Sequence, residues 1–162
     1  MIAFLESYLG LALALFGASL AAAMCCVGSA KGTGIVGEAA AGLLSQSPEH
    51  FSKCLILQVV PGTQGLYGIV AWFFALYTIG AFSGGLVPLT VEQGLRILAA
   101  CMPIGFGGGL SAIAQGRVAV ASINIVAKQP SSWTQGIFMC GGVEFYAILS
   151  LLASIMMLMN AL

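Results

Sequence analysis

Residues 32–37 read GTGIVG, the G-x-G-x-x-G spacing that cradles a dinucleotide pyrophosphate in a strand–turn–helix unit. That use needs a short strand before the glycines, a helix opening on them, and an acidic residue about 20 positions later. The preceding stretch, LALALFGASLAAAMCCVGSAK over 11–31, is far too long for a strand of about 5–6 residues. Glu38 lies too close to the glycines and Glu49 too early to meet a ribose. The glycines belong to another kind of structure.

Composition says which. The chain has 162 residues, 60% hydrophobic and only 6% charged, with a mean hydropathy of +1.06. Soluble domains carry about 25% charged residues, so this chain cannot cover a water-facing surface and is expected in a lipid bilayer. Five Lys and Arg balance five Glu, without Asp. That balance leaves no basic footprint and excludes nucleic acid as a partner. The five cysteines, Cys25, Cys26, Cys54, Cys101 and Cys140, lack zinc-type spacing, and their odd number argues for free thiols. The N-terminal stretch lacks the basic region of a signal peptide and carries Glu6 instead, so it is expected to remain as a span.

Apolar runs cover 9–44, 55–82, 95–127 and 136–162, each longer than the ~20 residues that cross a bilayer. SQSPEH (45–50), FSGGLVPLT (82–90) and KQPSSW (128–133) separate them. The expected fold is an all-α membrane protein of four transmembrane helices in two tandem hairpins, 1–81 and 82–162. His50, Lys53 and Lys128 place the turns at 45–53 and 128–133 in the cytoplasm, with both termini external to the cell membrane.

The hairpins resemble each other at a shift of 82 residues. Pro48 falls on Pro130, Phe51 on Trp133, Gly34 on Gly116, and Ser29-Ala30 on Ser111-Ala112. GTGIVG then falls on AQGRVA (114–119), small residue on small residue at all three glycines. A nucleotide loop has no reason to recur in this way. A row of small side chains does, because it lets helix backbones approach closely in lipid; GFGGGLSA (105–112) belongs to the same row.

Glu144 is the carboxylate out of place, ten residues beyond Thr134 in an apolar helix. An ionisable group at mid-membrane is expensive and marks function by default. It lies 14 residues beyond Pro130, roughly 21 Å of helix, and Gln115 lies 15 before it, roughly 22 Å. Thr63 and Gln64 lie 15 and 16 beyond Pro48, again about 22–24 Å. Four polar side chains from three helices thus meet one membrane level. Beside them Pro61 removes an N–H, which is expected to free the Leu57 carbonyl and loosen the backbone, and Gly62 leaves room. A carboxylate, two amides, a hydroxyl and a loosened backbone suit a hard alkali cation, Na⁺ first. A protonated Glu144 held by the amides is the alternative, with H⁺ as the ion.

GSAKGTGIVGEAA, LQVVPGTQGLYG, AIAQGRVA and VEFYAIL together resemble the proteolipid ring subunit of V-type ATPases, in its bacterial sodium-translocating branch. The resemblance spans nearly the whole chain. It implies a non-catalytic subunit that assembles with copies of itself into a ring in the bacterial plasma membrane. The ring rotates against a stator subunit that supplies an arginine, and central-stalk subunits transmit ATP hydrolysis. It also implies an ion site made by Glu144, Gln115, Thr63, Gln64 and the Val60 carbonyl, with Tyr67 hydrogen-bonding the acid. Val60 and Tyr67 come from the resemblance alone.

The remaining charges are placed more simply. Glu38 is expected near the cytoplasmic end, Arg117 on a face turned from Gln115, and Glu6, Glu92 and Arg96 at the external interface. Lys31, at about the depth of Glu144, receives no role. A structural pore-forming oligomer is the competing class. A free-standing enzyme is disfavoured, since no Ser/His/Asp arrangement accompanies Glu144 and His50 sits in a turn.

Overall fold

The computed structural model describes residues 2–162, with side chains from Tyr8 onward; the Glu6 side chain lies outside the described residues. Five α-helices make up most of the described residues: α1 (Ile2–Leu44), α2 (Phe51–Val59), α3 (Thr63–Thr78), α4 (Val91–Lys128) and α5 (Trp133–Leu158), with a non-helical connection over 79–90. Short 3₁₀ turns at Pro48–His50, Val60–Gly62 and Pro130–Ser132 join them, so that α2 and α3 form one broken rod. Four stretches are long and apolar enough to cross a membrane: Tyr8–Leu44, Pro48–Thr78, Val91–Lys128 and Pro130–Leu158.

Two boundaries differ from the apolar runs. The second rod stops at Thr78 rather than 82 because Gly80 takes a left-handed φ of 77°. The Gly80 N–H then donates to the Tyr77 carbonyl and the Ala81 N–H to that of Leu76, which closes the helix end. Ala81 and Phe82 are apolar but lie beyond this stop. α4 starts at Val91 rather than 95, because Thr90 and Gln93 cap each other reciprocally, each backbone N–H donating to the other's side chain.

α1 and α4 lie against each other along most of their length, and glycine sets how closely. A Cβ on Gly28 would overlap the Gly109 carbonyl oxygen, and one on Gly94 would overlap that of Gly10. Gly116 likewise meets the Gly32 backbone. The GTGIVG row is therefore a packing row only in part. Gly32 packs on Ala112 and Pro61, and Gly37 on Gln58, whereas Gly34 is exposed with nothing within 4 Å. The reason is angular: two residues along a helix turn the chain by about 200°, so Gly32 and Gly34 cannot face the same neighbour.

The two rods with a proline in mid-span, Pro61 and Pro103, each borrow a hydroxyl from another helix. The Gly65 N–H, just past Pro61, donates to Ser29 Oγ at 2.8 Å, and the Ile104 N–H, just past Pro103, donates to Ser154 Oγ at 3.0 Å. Backbone groups disturbed by proline must be satisfied inside the protein where no water reaches them. At one end, Lys53 Nζ donates to the Pro130 carbonyl at 2.9 Å, which ties the two proline turns together.

Replacing Gly28 by Leu is expected to force α1 off α4, at a cost of about 3 kcal/mol or more from overpacking. Gly34→Leu should leave the fold of the single chain intact. Thermal unfolding of both variants in mild detergent checks the difference.

Candidate functional site

The Glu144 carboxylate is the meeting point of three rods. Oε2 accepts from Gln115 Nε2 at 2.7 Å and from Gln64 Nε2 at 3.0 Å. Oε1 accepts from the Tyr67 hydroxyl at 2.5 Å. Thr63 Oγ1 stands 2.8 and 2.9 Å from the two carboxylate oxygens and 3.0 Å from the Val60 carbonyl oxygen. The residues that depth had placed at one level, Thr63, Gln64, Gln115 and Glu144, are in direct contact. Tyr67 and the Val60 carbonyl complete the cluster.

Local structure explains the placement. Because Pro61 has no N–H, the chain tightens into i→i+3 bonding over Val60–Gly62. The loosened backbone expected there is in fact compressed. Val59 and Gly62 keep near-helical dihedrals, and the Val60 carbonyl accepts the Thr63 N–H. That compression brings the Val60 oxygen beside the Thr63 hydroxyl. Pro61 is buried with its ring toward Gly32, and a Cβ on Gly62 would meet only Thr33 Cγ2 at 3.7 Å. Gly62 thus has spare room but makes no close contact.

The cluster has a dry wall and an open edge. Gln64 and Gln115 are fully buried, while Thr63, Tyr67 and Glu144 are partly exposed. Gln115 Nε2 also donates to the Cys140 carbonyl at 2.9 Å, and its Oε1 accepts from Gln64. Cys140 escaped the sequence, since a backbone carbonyl carries no residue-type signal. One acceptor is left over: Gln64 Oε1 is buried and has no hydrogen-bond donor. A buried polar atom without a partner costs about 1–3 kcal/mol.

The other charges stay away from it. Among the described residues Glu144 forms no salt bridge; Glu92 pairs with Arg96, and Glu49 lies 3.6 Å from His50. Lys31, Glu38 and Arg117 line one recess of about 370 Å³ with Gly34, Ile35 and Ile113. Lys31 therefore belongs with Arg117 and Glu38 rather than with the carboxylate at its own depth.

Comparison with known proteins gives this geometry a context. The family of the ATP synthase C subunit matches the chain twice, over residues 16–75 and again over 98–157, a displacement of 82 residues. The chain belongs to the ATP synthase C-subunit family. Members of this family are non-catalytic rotor subunits of membrane ATPases, and this chain is one. It is 48% identical to the V-type sodium ATPase subunit K of Enterococcus hirae over 135 residues, 83% of either chain. It is 32% identical to the A-type ATP synthase subunit K of Methanocaldococcus jannaschii over 144 residues, 89% of this chain and 60% of that protein.

Gln115→Ala deletes the donor to Glu144 and Cys140 and the acceptor for Gln64 together. It is expected to lower stability by about 1–3 kcal/mol. Tyr67→Phe, at the open edge, should cost less. Thermal unfolding of both variants beside the parent protein in the same detergent checks the order.

Proposed function

We propose that the chain is the ion-carrying rotor-ring subunit of a sodium-translocating V-type ATPase, with Na⁺ bound at Glu144. The observation that carries this is the convergence of polar groups on one partly exposed carboxylate: Glu144 meets the Gln115 and Gln64 amides and the Thr63 hydroxyl, which in turn meets the Val60 carbonyl oxygen. A proton uses one acceptor. A hard cation uses several oxygens, and rotating the two amides about their last torsion presents oxygen in place of nitrogen. Gln64 Oε1 has no hydrogen-bond donor to lose in that rotation. The 48% identity to a V-type sodium ATPase subunit supports the same ion.

The mechanism follows from charge. An ionised Glu144 facing lipid costs several kcal/mol. Na⁺ neutralises it, so the loaded site can travel through the bilayer as the ring turns. Opposite an arginine of the stator subunit the fixed positive charge replaces the ion, which leaves. Central-stalk subunits deliver the torque from ATP hydrolysis elsewhere in the complex. The turns at 45–53 and 128–133 face the cytoplasm and the termini lie outside, by the positions of Lys53, Lys128 and His50.

Ring closure has its own support in the repeat. The small residues Ala23, Ala30 and Gly34 are exposed on α1, whereas their counterparts at a shift of 82, Gly105, Ala112 and Gly116, are buried on α4. Conversely Gly32 is buried and its counterpart Ala114 is exposed. Each first helix thus carries two faces, of which the single chain uses one. A heterologous contact in which the exposed face of α1 meets that of the next copy's α4 repeats the internal contact and closes a ring.

Two measurements test these statements. Cysteines at positions 34 and 114 should cross-link between neighbouring copies and give a ladder of oligomers on oxidation; purely intramolecular or absent cross-links would remove the arrangement. For the ion, Gln115→Ala or Thr63→Ala should weaken Na⁺ binding by roughly 1–3 kcal/mol, about tenfold to a hundredfold, and raise the Na⁺ needed for half-maximal ATP-driven transport. Glu144→Gln should abolish transport. Unchanged Na⁺ dependence in the two ligand variants would leave the same rotor working on H⁺. Normal ion transport by Glu144→Gln would favour the structural pore.

A further inference from the structure

The site opens on one side, and the opening has an address. On α5 the buried residues Gly136, Cys140, Ala147, Ser154 and Leu158 mark the face turned to the rest of the chain. At about 100° per residue, Glu144 lies roughly 60° from the centre of that face, and Gly141 roughly 120° on the same side. Gly142 falls on the opposite flank. A helical side chain leans toward its own N-terminus, over positions i−3 and i−4, here Gly141 and Cys140. Cys140 is buried and its carbonyl is taken by Gln115. Over Gly141 there is only open space: no atom lies within 4 Å of the position of a Cβ.

The exposed neighbours of Gly141 at three, four and seven residues along α5, Phe138, Phe145 and Ile148, are all large. Glycine weakens a helix relative to alanine, and at Gly28 and Gly109 it is repaid by close backbone contact. Gly141 makes no such contact within the chain. Its missing side chain is a gap in an apolar wall, one turn from a carboxylate. That carboxylate accepts from Gln64 Nε2, and the Oε1 of the same fully buried amide has no hydrogen-bond partner.

We propose that Gly141 is the doorway of the ion site, the point through which a small alkali cation, stripped of most of its water, reaches and leaves Glu144. Gly141 touches no ligand. It sets the rate of exchange by leaving the path clear, while the affinity is set by the oxygens behind it. This inference rests on the assignment of Glu144 as an ion site.

The test separates rate from affinity in purified rings of the parent protein, Gly141→Ala, Gly141→Val and, as a control with the same change in helix propensity, Gly142→Val. Radioactive Na⁺ binding at equilibrium should be alike in all four. Exchange of bound label for unlabelled Na⁺ should slow by about tenfold or more in Gly141→Val, a barrier change of about 1.4 kcal/mol. Gly141→Ala should fall between, and Gly142→Val should match the parent. Equal exchange rates in Gly141→Val and the parent would overturn the doorway. So would failure of Gly141→Ala to assemble, which would make the glycine a packing point between neighbouring copies. If the parent ring retains no Na⁺, the sodium assignment fails separately. Carbodiimide labelling of Glu144 in the same four proteins then reads access by itself, slower in Gly141→Val if the doorway stands and equal if it does not.

Discussion

A carboxylate at mid-membrane depth must find every one of its partners inside the protein, and the arrangement of the helices follows from that requirement. Glu144 on α5 is met by Gln115 from α4 and by Thr63, Gln64 and Tyr67 from α3. No one helix could supply this set, because residues on one helix face share one direction only. Three rods have to converge at one level, and the fold is a means of making them do so. The glycine contacts between α1 and α4 form the tight inner pair against which α3 and α5 are laid. The compressed turn at Pro61 then sets the Val60 oxygen beside the Thr63 hydroxyl, and Ser29 takes up the N–H at Gly65. Loss of close packing at Gly28 or Gly109 would spread to the site through the position of Gln115, which stands on the same helix as Gly109.

Duplication makes the division of labour visible. At a shift of 82 residues, Gly62 stands where the second hairpin has Glu144. The first hairpin has no acid at this level, yet it supplies three of the four side chains that hold the acid of the second. Two hairpins therefore make one site between them instead of one each. The same asymmetry runs through the inner helices, where Gly32 is buried and Ala114 exposed. Each repeat keeps the small residues but uses a different face of them, which is what a repeating contact within and between copies requires.

Much of this was legible in the residues themselves. Four spans, the repeat and the common depth of Thr63, Gln64, Gln115 and Glu144 all follow from counting along helices, since 1.5 Å per residue converts sequence into height. Rotation around the helix is harder to count. The three glycines of GTGIVG looked equivalent as small residues, but only two of them face a neighbour within the chain. The end of the second rod was hidden because Ala81 and Phe82 are apolar, and only the left-handed Gly80 marks the stop. Thr90 and Gln93 had the spacing of a reciprocal cap and were readable in principle. The Cys140 carbonyl and the hydroxyls of Ser29 and Ser154 were not, because a backbone acceptor, or a serine acting as one, has no spacing rule. Their partners are fixed by packing between rods.

The placement of Lys31 completes the electrostatic logic. It stands at about the level of Glu144, and a lysine facing the carboxylate would hold it as a permanent ion pair. Instead Lys31 is exposed and lines a recess with Glu38 and Arg117, on a face of α1 and α4 turned from the site. Across a helix diameter of about 10 Å, with an effective dielectric constant near 20, attraction between two unit charges is about 1.7 kcal/mol. That falls short of the several kcal/mol that an ionised carboxylate costs in lipid. Hydrogen bonds from Thr63, Tyr67 and the two amides lower that cost without cancelling the charge. Among the described residues no fixed cation cancels the charge of Glu144, and the proposed carrier needs that, because its counter-charge has to be removable.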